Sequence, residues 1–176
     1  HAARPVLQRL LELNPTDISL RCAWARCLVE IGRREDGLRE AEQIEQLDRR
    51  NPASHSLRGA IYQFEGKHEE AQAAFRKAIG LSAEYDYNTI SGLIRSCRTV
   101  MERRVALNFL QAELSRHLIF GDGLLAFREL AARYLDPPEV LTALEQSLKE
   151  RPDLWHAWAA VARQLTAQRR EGEAVE

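Results

Sequence analysis

The sequence predicts an all-α fold, a solenoid of about five stacked helix pairs, and three observations predict it. The first is self-similarity at a spacing of about 34 residues. At that interval Gly66 falls on Gly32, Ala71 on Gly37, Phe75 on Ala41, Gly59 on Ala25 and Tyr62 on Leu28. A fixed period of this length, enough for two helices and two turns, is the arithmetic of a helical repeat array. The second is that no stretch alternates apolar and polar residues for long, which disfavours strands. The third is a set of helix-start signals in register with the period. Asn51 precedes Pro52, and Asp136 stands three residues ahead of Glu139.

The elements follow in order. A leading helix near 4–13 runs into "LQRLLELNP" (Leu7 to Pro15), the form of a second helix closed by Asn-Pro. Helix pairs are expected near 17–31 and 35–49, 53–65 and 68–81, 86–99 and 102–117, and 121–134 and 137–150. "ALEQSLKERP" (Ala143 to Pro152) repeats the leading helix, with Leu144, Ser147, Leu148 and Pro152 matching Leu7, Leu10, Leu11 and Pro15. Val140, Leu141, Leu144 and Leu148 form one apolar stripe at helical spacing. A first helix near 154–168 and the start of a second at 170 complete the series. Both ends then fall inside repeat units. With His1 at the start and Met101 as the sole methionine, the sequence is expected to be a piece of a longer protein.

The motif is strongest over residues 52–85, where Gly59, Tyr62, Gly66, Ala71, Phe75 and Ala78 place small and large residues at fixed offsets. In this pattern the chain resembles the tetratricopeptide repeat family. Residues 18–51 carry the pattern through Ala25, Leu28, Gly32 and Gly37. Residues 155–176 carry it through Trp158, Ala162, Leu165 and Ala174, with Arg169 in place of the turn glycine. Between them, near 87–154, the length is kept and much of the motif is lost. The interval from Ala71 to Ala174 is three periods plus one position, so two degenerate repeats fit with a one-residue slip. The resemblance implies a single right-handed solenoid over 1–176, with repeats near 18–51, 52–85, 87–120, 121–154 and 155–176. Gly66 is expected to make the turn, Ala71 to let the second helix approach near Gly59, Phe75 to fill the space between helices, and Ala78 to admit the next pair.

Composition narrows the function. Apolar residues make up 45% and charged residues 29% of the 176, which is the balance of a folded chain. Lys plus Arg number 25 against 26 Asp plus Glu, a net charge of -1, which disfavours general nucleic-acid binding. Cys22, Cys27 and Cys97 are expected to be free thiols in a reducing compartment, and a cytoplasmic setting follows from that and from the lack of a visible signal peptide. Cys22 and Cys27 lie about 140° apart on a helix and do not share a metal. No apolar run is long enough for a membrane span.

Catalytic chemistry finds no foothold. His1, His55, His68, His117 and His156 make no metal-binding spacing, and phosphate loops and nucleophile elbows are missing. Glu35–Asp36 and Glu69–Glu70 open second helices, where carboxylates meet the positive helix end. Trp24, Trp155 and Trp158 are expected to pack between helices. The sequence reading is therefore non-enzymatic, with no cofactor and no metal.

The resemblance implies that the first helices line a concave groove. Its candidate binding residues are Arg26, Gln63, Phe64, Asn88, Arg95, Arg98, Arg133, His156 and Arg163. The arginines suit an acidic partner, because the planar guanidinium fork matches a carboxylate. The Lys and Asn pair of the family's carboxylate-clamp variety is replaced here by Cys22 and Arg26, so that specificity is not carried over. The expected function is a protein-interaction scaffold that binds a peptide or helix. The alternatives are a regulatory or substrate-presenting arm of a larger enzyme, a helical-repeat RNA binder, and self-association through exposed apolar ends.

Overall fold

The computed structural model describes residues 3–81, 87–117 and 122–169. All regular structure among the described residues is helical, in ten helices. They group into two compact units, residues 1–81 and 82–176.

Unit 1 holds α1 (Ala3–Leu13), α2 (Ile18–Glu30), α3 (Arg34–Leu47), α4 (Pro52–Phe64) and α5 (His68–Leu81). Several starts have a local cause. The Asp17 carboxylate accepts from the Leu20 N–H at 3.0 Å. Asn51 does the same for Ala53, with Pro52 in the first helical turn. The ends repeat with the period. Gly32 and Gly66 adopt φ of +83° and +73°, a region open to glycine without strain. At each, the next N–H reaches back five residues, from Arg33 to the Leu28 carbonyl at 2.8 Å and from Lys67 to the Tyr62 carbonyl at 2.9 Å. Leu28 and Tyr62 are themselves one repeat interval apart, so one turn geometry occurs twice.

The core of unit 1 is built from the motif residues. Ala25, Leu28, Ala41, Ile44, Ile61, Ala71, Phe75 and Ala78 are all buried. α2 packs on α3 and α4 on α5, and α2 and α4, the two first helices, touch as well. The side chain nearest to Gly59 is the Phe75 ring. A Cβ at Gly59 would stand 2.7 Å from the Phe75 ring. Glycine is needed there because the aromatic ring occupies the space a side chain would take. Gly37 serves the same end between Val29 and Ile61.

Unit 2 holds α6 (Tyr87–Ser96), α7 (Val100–His117), α8 (Asp122–Ala131), α9 (Pro137–Glu150) and α10 (Trp155–Ala167). α6 stops three residues before its expected end at 99, and α7 starts two residues early. The cause is a start signal that the glycine-based motif does not contain. The Thr99 hydroxyl accepts from the Glu102 N–H at 3.1 Å, and the Glu102 carboxylate accepts from the Arg98 N–H at 2.8 Å. This Thr-x-x-Glu arrangement opens α7 at Val100 and leaves Arg98 in the turn. α8 likewise ends at Ala131 rather than 134. Asp136 and Glu139 form the expected capping box, and the Asp136 N–H donates to Glu139 at 3.0 Å. The two prolines behind Asp136 fix where α9 begins.

Polar ties hold the second unit in register. Arg104 grips Glu139 with two hydrogen bonds of 2.6 and 3.2 Å, joining α7 to α9. Gln111 donates to the Ser147 hydroxyl at 3.1 Å across the same pair. Arg128 donates to Gln164 at 3.1 Å between α8 and α10. Arg169 takes φ of +60°, so the residue that replaces the turn glycine adopts the glycine conformation. The started helix expected at 170 lies outside the described residues.

Two of the tryptophans depart from expectation. Trp24 is half-buried, but Trp155 and Trp158 are 67% and 55% exposed. Trp158 instead donates its indole N–H to the Pro152 carbonyl at 3.1 Å.

Candidate functional site

In unit 2 the first helices of successive pairs lie side by side, α6 against α8 and α8 against α10. Their burial pattern recurs at the repeat interval. Thr89, Gly123 and Ala157 are buried, as are Gly92, Ala126 and Ala160, and so are Cys97, Ala131 and Leu165. Arg95, Glu129 and Arg163 are exposed at equivalent points. The same face of each helix is therefore turned outward, and together these faces form a polar strip. Ser91, Leu125 and Ala159 stand one turn earlier and are buried or half-buried, so they form its floor.

Arg95, Arg98, Arg133 and Arg163 are all exposed and make no ion pair among the described residues. Arg95 leans on its own helix through a 3.2 Å bond from Nη1 to the Ser91 hydroxyl. Arg98 and Arg133 lie just past the ends of α6 and α8. Arg34, Arg49 and Arg50 are likewise exposed without an ion pair among the described residues, whereas other arginines are paired. Arg21 pairs with Glu40 and Arg58 with Glu45 at 2.7 Å, Arg104 pairs with Glu139, Arg151 with Asp153, and Arg33 and Arg39 both pair with Asp36. Arg103 sits over the Tyr134 ring at 5.2 Å. Glu129, the acid nearest in sequence register to the unpaired group, pairs with none of them.

Two further expected residues of unit 2 sit differently. Asn88 is exposed on the first turn of α6, and its carbonyl accepts from the Ser91 hydroxyl at 3.2 Å. His156 is buried, at 8% exposure, and its ring lies against Trp155 with centroids 3.5 Å apart. The start of α10 turns it inward, so it does not present a side chain on the strip.

Unit 1 carries a smaller group on α2 and α4. Arg26 is exposed and makes no ion pair among the described residues, Gln63 is half-buried, and Phe64 is 66% exposed at the end of α4. Cys22, one turn before Arg26, is half-buried, and burial pushes its thiol pKa up, against the opposing pull of Arg26. It is poorly suited to be a thiolate nucleophile.

One cluster has no signature in the sequence. His55, on α4, is buried at 2% exposure, and its Nε2 makes no hydrogen bond among the described residues. Glu45 Oε1 of α3 stands 3.8 Å away, while the other Glu45 oxygen is held by Arg58 at 2.7 Å. Burial, with the positive charge of Lys77 behind it, holds His55 below the usual histidine range despite Glu45. For Glu45 burial acts upward, but the hydrogen bond and charge of Arg58 prevail and its pKa is lowered. The residues involved are ordinary for helix surfaces, and only the packing of three helices brings them together. Among the described residues no group of three or more His, Cys, Asp or Glu side chains is placed to hold a metal ion. No described helix is long and apolar enough to cross a membrane.

Comparison with known proteins bears on the fold. The model of the family described as Tetratricopeptide repeat matches residues 52–85. No curated protein matches the sequence. Among solved structures, the crystal structure of YrrB, described as a TPR protein with an unusual peptide-binding site, is similar with a TM-score of 0.53 and 17% identity. That match covers 96% of this chain and 86% of YrrB. A chain of the Naa15/Naa10 structure bound to HypK-THB aligns at 17% identity over 96% of this chain and 31% of its own length, with a TM-score of 0.42.

Proposed function

We propose that this chain, a tetratricopeptide-repeat domain protein with an all-α repeat fold, is an interaction scaffold whose exposed first-helix faces bind an acidic peptide. In unit 2 the binding residues are Arg95, Arg98, Arg133 and Arg163, with Asn88 beside them. In unit 1 they are Arg26, Gln63 and Phe64. The observation that carries the reading is that these arginines, on first helices or just past their ends, are exposed and make no ion pair among the described residues. An exposed guanidinium without a carboxylate has its fork of donors turned to water and available to a ligand. Phe64 adds an exposed aromatic surface of the sort that anchors partners.

The test is selection from a displayed library of linear peptides on the 176-residue chain, followed by calorimetry of an enriched peptide. An acidic peptide whose affinity drops roughly tenfold in the double variant R95A/R98A fits the loss of two exposed charged contacts. Unchanged affinity removes these arginines from the site, and a library that yields no binder removes the scaffold reading.

A further inference from the structure

Resting on the scaffold reading, we infer that the strip of unit 2 recognises a segment in the polyproline II conformation with an acidic, a basic and an acidic residue at every third position. Arg95, Glu129 and Arg163 stand one repeat interval apart in the sequence, one on each of α6, α8 and α10. All three are exposed, and none makes an ion pair among the described residues. The strip therefore presents a plus, a minus and a plus in order across three helices.

The spacing follows from packing. Helices in contact lie about 8–10 Å apart. A polyproline II chain rises about 3.1 Å per residue with three residues per turn, so one of its faces returns at about one helix spacing. A segment lying across the three helices meets each charge with its first, fourth and seventh residues. Charge complementarity then requires acid, base and acid at those places. The floor of Ser91, Leu125 and Ala159, small and apolar groups one turn earlier on the same three helices, flanks this row of charges. Two fixed features hold the reading frame. The Arg128–Gln164 hydrogen bond sets α8 against α10, and the Arg95–Ser91 bond restrains the first guanidinium. The middle position separates this partner from a uniformly acidic one, because a third carboxylate there would face Glu129. Rejection of the wrong charge gives as much specificity as attraction of the right one.

The experiment is the same peptide selection run in parallel on the wild-type chain and on the charge-exchanged variant R95E/E129R/R163E. All three changes are at exposed positions, and far-UV circular dichroism checks that the helices are kept. The wild type is expected to enrich acid-x-x-base-x-x-acid peptides, and the exchanged variant base-x-x-acid-x-x-base peptides. The single variant R163E is expected to weaken a wild-type binder roughly three- to tenfold, the scale of an exposed charge contact turned repulsive. Enriched peptides that lack the three-residue spacing, or whose charges do not invert in the variant, overturn the inference and leave the scaffold reading standing. A selection that enriches nothing overturns both.

Discussion

A methyl group added at Gly59 would sit 2.7 Å from two atoms of the Phe75 ring and 2.9 Å from a third. Carbon atoms in favourable contact are about 3.5–4.0 Å apart, so the ring must move by roughly 1 Å. Phe75 is 2% exposed, and Ala71 and Ala78 beside it on α5 are buried, so it has little room to move. Overpacking of a filled core costs about 1–3 kcal/mol. Against this, alanine is favoured over glycine in a helix by up to about 1 kcal/mol. G59A is therefore expected to destabilise unit 1 by up to about 2 kcal/mol. G80A supplies the control. Gly80 is helical and has nothing within 4 Å of the position its Cβ would take, so the substitution keeps the propensity gain without the clash. The difference between the two variants isolates the packing cost, about 1–3 kcal/mol. G66A tests the turn separately: space is open there, and only the φ of +73° opposes a side chain. The assay is urea unfolding followed by far-UV circular dichroism, with stability from the midpoint and slope. If G59A is as stable as G80A, the account of the α4–α5 contact is wrong.

His55 has its pKa lowered in the folded state, so the unfolded chain binds its proton more readily. Stability is then full above the ordinary histidine value of about 6.5 and declines as the pH falls below it toward the folded value. H55Q is expected to flatten that decline, measured as the urea midpoint across this range; an unchanged slope would exclude His55 as its source. Trp155 and Trp158 are largely exposed, so W155A and W158A should each cost well under the roughly 3–5 kcal/mol of a buried aromatic truncation. Their indoles should also be open to a soluble quencher. N51A removes the Asn51 cap of α4 and T99A that of α7, and each should cost about 1 kcal/mol in urea unfolding.

Much of the fold is legible because repeats write their packing into local sequence. The glycines at 32 and 66, the paired acids after them and the caps at Asn51 and Asp136 act within a few residues of themselves. Helix starts and turns could thus be read without knowing any neighbour. The ends of α6 and α8 each fall three residues short of where the repeat period carries them. Thr99 with Glu102 opens α7 and stops α6 early, a local signal that the repeat period by itself does not contain. The candidate site was half legible. Equivalent positions on the first helices follow from the period, and among them Arg95 and Arg163 stand exposed. His156 does not, because the start of α10 turns its ring against Trp155.

By itself the sequence determined the all-α class, the repeat period, nearly every helix and the glycines that end them, since these depend on contacts between near neighbours. Only the tertiary structure decided which arginines are paired. Arg21, Arg58 and Arg104 find carboxylates on other helices, and among the described residues Arg95, Arg98, Arg133 and Arg163 do not. It also decided that Phe75 fills the space at Gly59 and that His55 is buried beside an acid already held by Arg58. These outcomes depend on distances between residues on different helices, and a spacing along the chain does not contain them.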